Sequence, residues 1–311
     1  MTDSNNGKKQ KSAKRKIKMF VTLCIAVLLL SVSFIMEKSG AWESLFEVFH
    51  INSVYEQSSR YPLAVTVYDV GNANCVLIRC DGYYILIDSG SEKVQTGISD
   101  KLRALHIDKL DLVILSSSDK RYIGDMCGVA DTVRIDRFIT CDNKDTELPQ
   151  AYTQLTAKLK EKNIETEYVK SGDEFIFGDM NLKVVSPCKA YDSANSNSVA
   201  VRLLYGEFSM LFMGDTSKQA LGDILDSNES IRSDVLLAAR QGRSGSVTDK
   251  FLRTVNPAAV IVCAEQTDYT PDDITIQKIV DYGCELYRTD KFGDIIIVSS
   301  GTDYKILTQL D

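Results

Sequence analysis

The residues that could carry chemistry in this chain are mainly carboxylates, serines and arginines, because the sequence contains only two histidines, His50 and His106. A catalytic zinc ion usually takes nitrogen and oxygen ligands from several side chains and leaves one position open for the water that it acidifies. His50 precedes the first predicted strand, and His106 ends a predicted helix, where a surface or capping role is expected. A histidine-rich metal site is therefore poorly supported.

Other catalytic patterns are also weak. Gly242-Arg243-Ser244-Gly245 lacks the G-x-S-x-G spacing of a nucleophile elbow. A serine or cysteine nucleophile would also need a base, and neither histidine is placed to supply one. No glycine-rich phosphate-binding motif of the G-x-x-x-x-G-K-S/T or G-x-G-x-x-G type is found. Nucleophilic and nucleotide-dependent chemistry are both disfavoured.

The N-terminal region predicts a membrane anchor. Residues 1–18 form a basic tail, and residues 19–36 contain no charged side chain and are just long enough to cross a bilayer as a helix. The basic residues on the N-terminal side place that end in the cytoplasm and the rest of the chain outside. A cleaved signal peptide is the alternative, since small residues follow the segment. A connector over 37–62 and a globular domain over 63–311 complete the predicted organisation.

The charge and cysteine content of the exported part limit its partners. Beyond residue 40 the chain has 28 basic and 41 acidic residues, a net charge of −13, which repels phosphate backbones and disfavours nucleic acid. The seven cysteines of this part show no C-x-x-C spacing, so most are expected to be buried hydrophobic residues. One or two disulfides remain an alternative outside the cell.

The elements that must position any site alternate between strand and helix. Short apolar or alternating runs predict strands over 63–68, 75–79, 83–87, 112–115, 134–140, 175–177, 182–185, 198–204, 208–213, 235–238, 259–263 and from 295 onward. Helical periodicity predicts helices over 94–105, 123–130, 151–162, 218–225, 247–254 and 274–282. Each half has strand meanders followed by alternation, which predicts two sheets packed face to face with helices outside.

Several motifs in this order resemble the metallo-β-lactamase-fold domain of ComEC-type competence proteins. Asp69-Val70-Gly71-Asn72-Ala73-Asn74 is similar to the family's D-V-G-Q-G-D turn, and Ile85-Leu86-Ile87-Asp88-Ser89-Gly90 to its I-L-I-D-x-G segment. Further matches, over about residues 63–309, are Leu110 to Leu115, Asn197-Ser198, Met213-Gly214-Asp215, Asn256-Pro257 and Arg288-Thr289-Asp290. The resemblance implies an α+β fold, an αββα four-layer sandwich, here with an N-terminal transmembrane helix.

The resemblance fails at the metal ligands. The family's T-H-x-H-x-D-H loop aligns with residues 116–122, so that its three histidines become Ser117, Asp119 and Tyr122 and its aspartate becomes Arg121. Its H-H-G-S becomes Arg240-Gln241-Gly242-Arg243, and its Y-G-H-P becomes Asp268-Tyr269-Thr270-Pro271. Of the usual ligands only the bridging aspartate, Asp215, is retained. Family members bind two zinc or manganese ions, and no cofactor is expected here.

Oxygen ligands from Ser117, Asp119, Asp125 and Asp215 could suit a hard ion, but the neighbouring cations oppose it. One alternative is that arginines neutralise the buried carboxylates in place of metals; the other is that they form an anion-binding cleft. The predicted pocket comprises Asp88, Ser117, Asp119, Arg121, Tyr122, Asp215, Arg240, Gln241 and Thr270. The candidate anion-binding residues are Lys120, Arg121, Arg240 and Arg243.

The sequence therefore predicts a single-pass membrane protein with an extracytoplasmic, non-catalytic binding or scaffolding module. Its expected partners are the membrane, a small anionic ligand or a component of the cell envelope. A metal-dependent phosphodiesterase or nuclease with unidentified ligands is the alternative function. A role as an accessory of DNA uptake is permitted by the resemblance and disfavoured by the charge.

Overall fold

The computed structural model describes Ser31 and residues 54–91, 97–143, 148–227, 229–265 and 270–310. The predicted tail, membrane segment and most of the connector lie outside the described residues, apart from Ser31. Among the residues that are described, no helix has both the length and the apolar character needed to cross a membrane. Val54 begins the second of two compact units, and this unit contains all the elements that follow.

The N-terminal half of this unit builds most of an eight-stranded sheet. Its order is β17-β16-β1-β2-β3-β5-β7-β8, and β3, β5, β7 and β8 run parallel to one another. Its strands are β1 Leu63–Val67, β2 Val76–Cys80, β3 Tyr83–Ile87, β5 Leu112–Leu115, β7 Phe138–Thr140, β8 Thr166–Tyr168, β16 Ile295–Ser299 and β17 Tyr304–Thr308. The associated helices are α1 Val54–Ser58, α2 Ile98–Ala104, α3 Lys120–Ile123, α4 Met126–Thr132 and α5 Gln150–Glu161, and a small ladder joins β4 Lys109–Leu110 to β6 Arg134–Ile135.

The C-terminal half builds a seven-stranded sheet of order β15-β14-β13-β12-β11-β10-β9, in which β12 to β15 run parallel. Its strands are β9 Glu174–Phe177, β10 Met180–Ser186, β11 Ala200–Tyr205, β12 Phe208–Phe212, β13 Val235–Leu237, β14 Ala259–Val262 and β15 Glu285–Arg288. Its helices are α6 Lys218–Asp226, α7 Asp249–Val255, α8 Asp273–Tyr282 and α9 Thr289–Phe292, and a 3₁₀ turn covers Ala239–Gly242.

Three of the four apolar clusters of the described residues separate four layers. The central core joins alternate residues of both sheets, such as Ile85 of β3 and Leu203 of β11. A second core lies between the first sheet and helices α2, α4 and α5, and a third lies between the second sheet and α6, α7 and α8. The central strands are buried on both faces, which explains their continuous runs of Ile, Val and Leu. The predicted α+β sandwich is confirmed.

Two predicted elements are wrong in their extent. The helix predicted over 123–130 is two helices, α3 and α4, because the chain passes very close to Gly90 at Gly124: a Cβ there would lie 2.5 Å from the Gly90 carbonyl oxygen. The strand predicted over 134–140 divides into β6 and β7, which pair with different neighbours. Strands β8 and β15 were not predicted, because each is short and largely polar.

The cysteines agree with the sequence-based expectation. All seven from Cys75 to Cys284 are free thiols, and five of them are buried. Burial raises the pKa of the Cys263 thiol to about 12, so it stays protonated and unreactive. The five buried cysteines act as small core residues, and none of the seven forms the disulfides that were the alternative.

Candidate functional site

The predicted pocket residues lie on loops that leave the carboxyl ends of parallel strands. Asp88 directly follows β3, and Ser116 directly follows β5. Asp215 lies three residues after β12, and Arg240 lies three residues after β13. Since parallel neighbours end at the same edge of a sheet, these loops converge at one end of the sandwich.

Asp88 is a fully buried carboxyl that organises the loop after β5. Its two oxygens accept hydrogen bonds from the Ser116 amide and the Ser116 hydroxyl, each at 2.7 Å. Burial raises its pKa to about 8; the bonds from Ser116 oppose this shift, and the Asp215 charge adds to it. Asp88 is therefore mostly protonated at neutral pH and serves as a neutral structural group.

Ser116 also connects the two halves of the domain. Its carbonyl accepts hydrogen bonds from the Val199 amide at 2.8 Å and the Ser198 hydroxyl at 2.9 Å. The Ser198 hydroxyl in turn accepts a 2.8 Å bond from the Asp215 amide. Gly214 permits this contact, since a Cβ at that position would lie 2.7 Å from the Ser198 oxygen and 2.9 Å from Ser116. These bonds fix the position of Asp215.

Asp215 is a buried charge between two arginines. Its side chain is 0% exposed, and neither carboxylate oxygen accepts a hydrogen bond from the described residues. A guanidinium nitrogen of Arg121 lies 3.7 Å from Oδ1, and Nε of Arg240 lies 3.9 Å from the same atom. Burial raises the pKa of Asp215 to about 6, and the Asp119 charge adds to this rise, whereas Arg121, Arg240 and the nearby Tyr122 hydroxyl lower it. The carboxylate is thus largely ionised at neutral pH and paired with cations.

Arg121 is held rigidly by three partners. Its Nε donates to Asp119 at 2.8 Å, and its Nη1 donates to the Gln241 side-chain oxygen at 3.1 Å. Its third contact is the ion pair with Asp215. Asp119 also caps helix α3 by accepting from the Arg121 amide at 2.9 Å. Burial of Asp119 opposes its ionisation, but the bonds from Arg121 outweigh that effect, and its pKa is lowered.

Gln241 joins the two halves through a buried amide. Its nitrogen donates to the Asn74 side chain at 3.1 Å and to the Tyr122 hydroxyl at 2.9 Å, while its oxygen accepts from Arg121. Gln241 itself is 0% exposed. One side chain from the C-terminal half therefore forms hydrogen bonds with three groups of the N-terminal half, which would each lose a partner without it.

The turn that presents Gln241 is strained. Arg240 and Gln241 have φ angles of 54° and 51°, in the left-handed region, and Gly242 follows at 71°. Each of the two non-glycine residues costs about 1–2 kcal/mol in this conformation. Three hydrogen bonds at about 0.5–1.5 kcal/mol each offset a cost of that size. Strain maintained by such a network is characteristic of functional sites.

Thr270 lies on a loop that packs against this turn. The Asp272 amide donates to the Gly242 carbonyl at 3.0 Å, and a Cβ on Gly242 would lie 2.7 Å from Pro271. The Thr270 hydroxyl is buried and has no hydrogen-bond partner within the described part of the chain. Asp268 and Tyr269, which complete the aligned motif, lie outside the described residues.

The remaining candidates differ in accessibility. Ser117 is buried, and its hydroxyl accepts from the Asp119 amide at 3.2 Å. Lys120 is exposed on the first turn of α3. Arg243 is partly buried, and its Nε is another buried donor without a partner among the described residues. Of the four candidate cations, Arg121 is thus committed to internal contacts, whereas Arg240 and Arg243 retain unpaired donors.

Sequence reasoning missed Asn74, Ser116 and Ser198 as contributors to the site. All three lie within the matched motifs or beside them, but their roles depend on which groups they meet across the two halves. Asp125 was considered as a possible oxygen ligand of a hard ion, a site that the neighbouring cations oppose. It instead accepts a 2.8 Å bond from the Ser99 amide at the start of α2, which lacks a side-chain cap of its own.

The donor set does not suit the two metal ions that the fold family implies. Asp88 is occupied by Ser116, Asp119 is occupied by Arg121, and Asp215 faces two guanidiniums. Among the residues that the structure describes, no three His, Cys, Asp or Glu side chains lie together as a possible metal-binding group. Fixed cations beside a single free carboxylate would also repel a divalent ion.

Comparison with known proteins agrees with the fold and the motifs. No protein-family model matches the chain. It is 22% identical over 238 residues to competence protein ComA of Neisseria gonorrhoeae, a match that covers 74% of this chain and 31% of that protein. The chain therefore spans about a third of the length of this curated relative.

Two solved structures share the fold. The metallo-β-lactamase-fold protein YhfI of Bacillus subtilis matches with a TM-score of 0.50 and 11% identity, covering 79% of this chain and 100% of that one. CmlA, a diiron β-hydroxylase of Streptomyces venezuelae, matches with a TM-score of 0.50 and 11% identity, covering 80% of this chain and 54% of that one. The chain shares the metallo-β-lactamase fold with these structures and is similar in sequence to competence protein ComA.

The network around Gln241 predicts a stability effect. Gln241→Ala removes three hydrogen bonds and should lower the free energy of unfolding by about 2–4 kcal/mol, since it leaves buried partners unsatisfied. The exposed Gln277, which bonds only Asp281, is the matched control, and Gln277→Ala should change stability by less than about 0.5 kcal/mol. Urea denaturation measures both. A double-mutant cycle with Tyr122→Phe should show coupling, and additive effects would contradict the proposed hub.

The raised pKa of Asp88 predicts that the free energy of unfolding depends on pH. Its pKa is raised from 3.8 to about 8 in the folded protein. The folded protein therefore holds a proton that the unfolded chain has released, and this contribution to stability is lost as the pH rises towards 8. Between pH 6.5 and 8.5, above the range of Asp215, wild type should lose stability more steeply than Asp88→Asn in urea denaturation. Parallel curves for the two proteins would show that Asp88 is ionised throughout.

Proposed function

We propose that this ComEC-related domain is a non-catalytic binding module, in which an arginine–aspartate–glutamine cluster replaces the metal centre of its fold family. The observation that carries the proposal is the enclosure of Asp215 by Arg121 and Arg240. Two guanidiniums neutralise a carboxylate that would otherwise be an isolated buried charge, which costs several kcal/mol. The cluster thereby performs the structural part of the metals' role without supplying an activated water.

Hydrolysis by the family's route is not supported by these residues. That route needs an ion that acidifies a water and polarises the bond to be cleaved. Here the groups nearest Asp215 are arginines, which stay protonated and cannot act as bases. Tyr122 is fully buried, and both burial and the Asp215 charge raise its pKa well above 10. A phosphodiesterase or nuclease remains the alternative function, and no feature of the described residues favours it.

The same cluster supports the binding of a small anion. Arg121 is held by hydrogen bonds to Asp119 and Gln241 and by its ion pair with Asp215, so Arg240 and Arg243 are the arginines with fewer contacts among the described residues. The Arg240 side chain is 26% exposed and can be reached from solvent. Guanidinium groups held by a rigid turn bind carboxylate or phosphate through directed hydrogen bonds. The positive charge of these two arginines favours a small anion. A DNA backbone is disfavoured, because the chain beyond residue 40 has a net charge of −13.

We further propose that the module is attached to the membrane by residues 19–36, with the domain outside the cell. The support is the uncharged segment itself and the basic residues that precede it. The similarity to a competence protein is compatible with a role near a DNA-uptake apparatus. The acidic character of the domain favours contact with a component of the envelope over contact with DNA.

The binding proposal is tested with inorganic phosphate and metals on the purified full chain. Phosphate should raise the melting temperature of wild type, because a ligand that binds only the folded state stabilises it. Arg240→Ala and Arg243→Ala should lose most of that increase. Arg253→Ala, an exposed arginine on α7 with the same change of charge, is the control and should keep it.

Elemental analysis of the purified protein would show whether the binding proposal is wrong. Near-stoichiometric zinc or manganese in the protein, together with phosphodiesterase activity that Asp215→Ala abolishes, would replace the binding proposal with the hydrolase. A phosphate response that is equal in all four proteins would exclude Arg240 and Arg243 as the binding residues.

The proposed membrane anchor predicts in which fraction of a cell lysate the full chain is found. The full chain should sediment with membranes and resist extraction by carbonate, because an apolar helix of this length partitions into lipid. A chain lacking residues 1–40 should be released into the soluble fraction. A cleaved signal peptide would instead give a shortened, soluble wild-type protein, which N-terminal sequencing would identify.

A further inference from the structure

Among the described strands, β17 forms an unpaired edge of the first sheet. It is the last strand in the sheet order, and its five residues, Tyr304–Thr308, are all at least partly exposed. The Gln309 amide donates to the Asp294 carbonyl at 2.9 Å, and an antiparallel ladder forms such bonds at every second residue. The odd-numbered residues of β17 therefore bond to β16, whereas the backbone groups of Tyr304, Ile306 and Thr308 point away from the sheet.

The charge of β17 differs from that of the other edge strands of the described domain. Strands β8, β9 and β15 are shorter, and each contains a glutamate, namely Glu167, Glu174 and Glu285. Strand β17 contains one charged residue, Lys305, and no acidic one. Short length and charge are the usual protection of an edge strand against pairing, and β17 has little of either. In a chain with a net charge of −13 beyond residue 40, β17 is the edge that meets its own copy without acidic repulsion.

Strand β17 is also self-complementary when two copies pair antiparallel. Outward-facing residues must pair with one another, and centring the pair on Ile306 aligns all five residues of each strand. Ile306 then lies opposite Ile306 of the second copy, and Tyr304 lies opposite Thr308. On the other face, the lysine stem of Lys305 packs on Leu307. A register shifted by two residues pairs fewer residues, and in one direction it places Lys305 opposite its own copy, which like charges disfavour.

Helix α1, with which the described domain begins, lies beside this edge. Val54 and Tyr55 pack on the outer face of the first sheet, against Leu307 and the buried Ile296 and Val298. Two strands that pair antiparallel are related by a two-fold axis normal to the sheet, so the outer faces of both copies point to the same side. Both chains therefore enter their domains from one side of the pair. Two copies attached to one membrane, as proposed above, require this arrangement, and their attachment raises their effective concentration.

We propose that β17 is the interface through which two copies of this chain form a symmetric dimer, in which their first sheets become one continuous sheet. Three outward-facing residues in each strand donate and accept one backbone hydrogen bond each. The exposed Leu310, whose amide donates to the Phe292 carbonyl at 2.9 Å, extends the apolar surface beyond the end of β17. This interface involves none of the residues of the anion site.

The mass of the full chain in detergent, measured by light scattering, tests the dimer. Wild type should have the mass of two chains. Ile306→Pro removes an outward-facing N–H from each copy and should weaken dimerisation about tenfold or more, because proline is tolerated on an edge strand but cannot donate to a new ladder. Ile176→Pro makes the same change at an outward-facing, 70% exposed residue of β9 and should leave the dimer intact. Thermal melts confirm that each variant is folded.

Cysteine cross-linking in membranes tests the register and does not depend on a proline variant. In the proposed pair, Lys305 and Leu307 of opposite copies lie about 4.5 Å apart at their Cα atoms, which permits a disulfide. Differently tagged Lys305→Cys and Leu307→Cys chains, when co-expressed, should therefore cross-link on mild oxidation. Lys305→Cys alone should not, since its two copies lie diagonally at about 7–8 Å. Wild type gives the background from the native cysteines.

Each outcome decides the proposal. Cross-linking of the mixed pair supports the interface even where the chain is monomeric in detergent or Ile306→Pro does not fold. A monomeric wild type that also gives no cross-link overturns the dimer. A dimer that folded Ile306→Pro does not weaken, or an assembly larger than two chains, overturns this interface, because a symmetric pairing of β17 closes at two copies. The phosphate titration of the Arg240 and Arg243 variants tests the anion site separately.

Discussion

The structure of this site depends on the burial of one negative charge. Asp215 is fully enclosed at the junction of the two sheets, and its position is fixed by the Ser198 hydroxyl and by the close approach that Gly214 permits. A carboxylate in that place must be neutralised. In the resembling family two metal ions serve that purpose, whereas here Arg121 and Arg240 approach from opposite halves of the domain. The identity of the neighbouring residues follows from this electrostatic requirement.

An arginine side chain occupies more space than a metal ion, so neutralising Asp215 with arginines requires additional residues around it. A guanidinium is planar and long, so it needs partners that fix its orientation. Asp119 and Gln241 orient Arg121, and a left-handed turn orients Arg240. Gln241 also donates hydrogen bonds to Asn74 and Tyr122. The turn that orients the two arginines therefore also joins the two halves of the domain. Structural stability and site geometry are therefore coupled through one side chain.

This coupling is the structural basis of the binding function proposed for the domain. Rigid loops at the carboxyl ends of parallel strands present polar groups at fixed positions, whatever those groups are. With metals removed, the same loops hold donors and acceptors whose spacing is set by the backbone rather than by mutual attraction. The 3.9 Å separation of Arg240 Nε and Asp215 Oδ1 is such a spacing. The proposed function uses these fixed groups to bind an anion.

The sequence by itself determined the sandwich, most of its elements and the location of the site. Continuous apolar runs such as Leu112–Leu115 identify strands buried on both faces, and motifs such as Met213-Gly214-Asp215 identify the loops at their ends. Local periodicity also failed at Gly124, which lies between α3 and α4 and at which a Cβ would lie 2.5 Å from the Gly90 carbonyl oxygen.

Only the tertiary structure decided which polar groups satisfy one another. From sequence, Arg121, Arg240 and Arg243 were equivalent cations near two carboxylates. In the folded domain Arg121 is held by Asp119 and Gln241, whereas Nε of Arg240 and of Arg243 has no hydrogen-bond partner among the described residues. Asp125 accepts from the first turn of a different helix. Asn74, Ser116 and Ser198 became part of the site only across the junction of the halves. The physical reason is that a change of a few tenths of an ångström in the distance between two residues remote in the chain makes or breaks a hydrogen bond. The burial pattern of a strand or helix, in contrast, follows from the local sequence of that element.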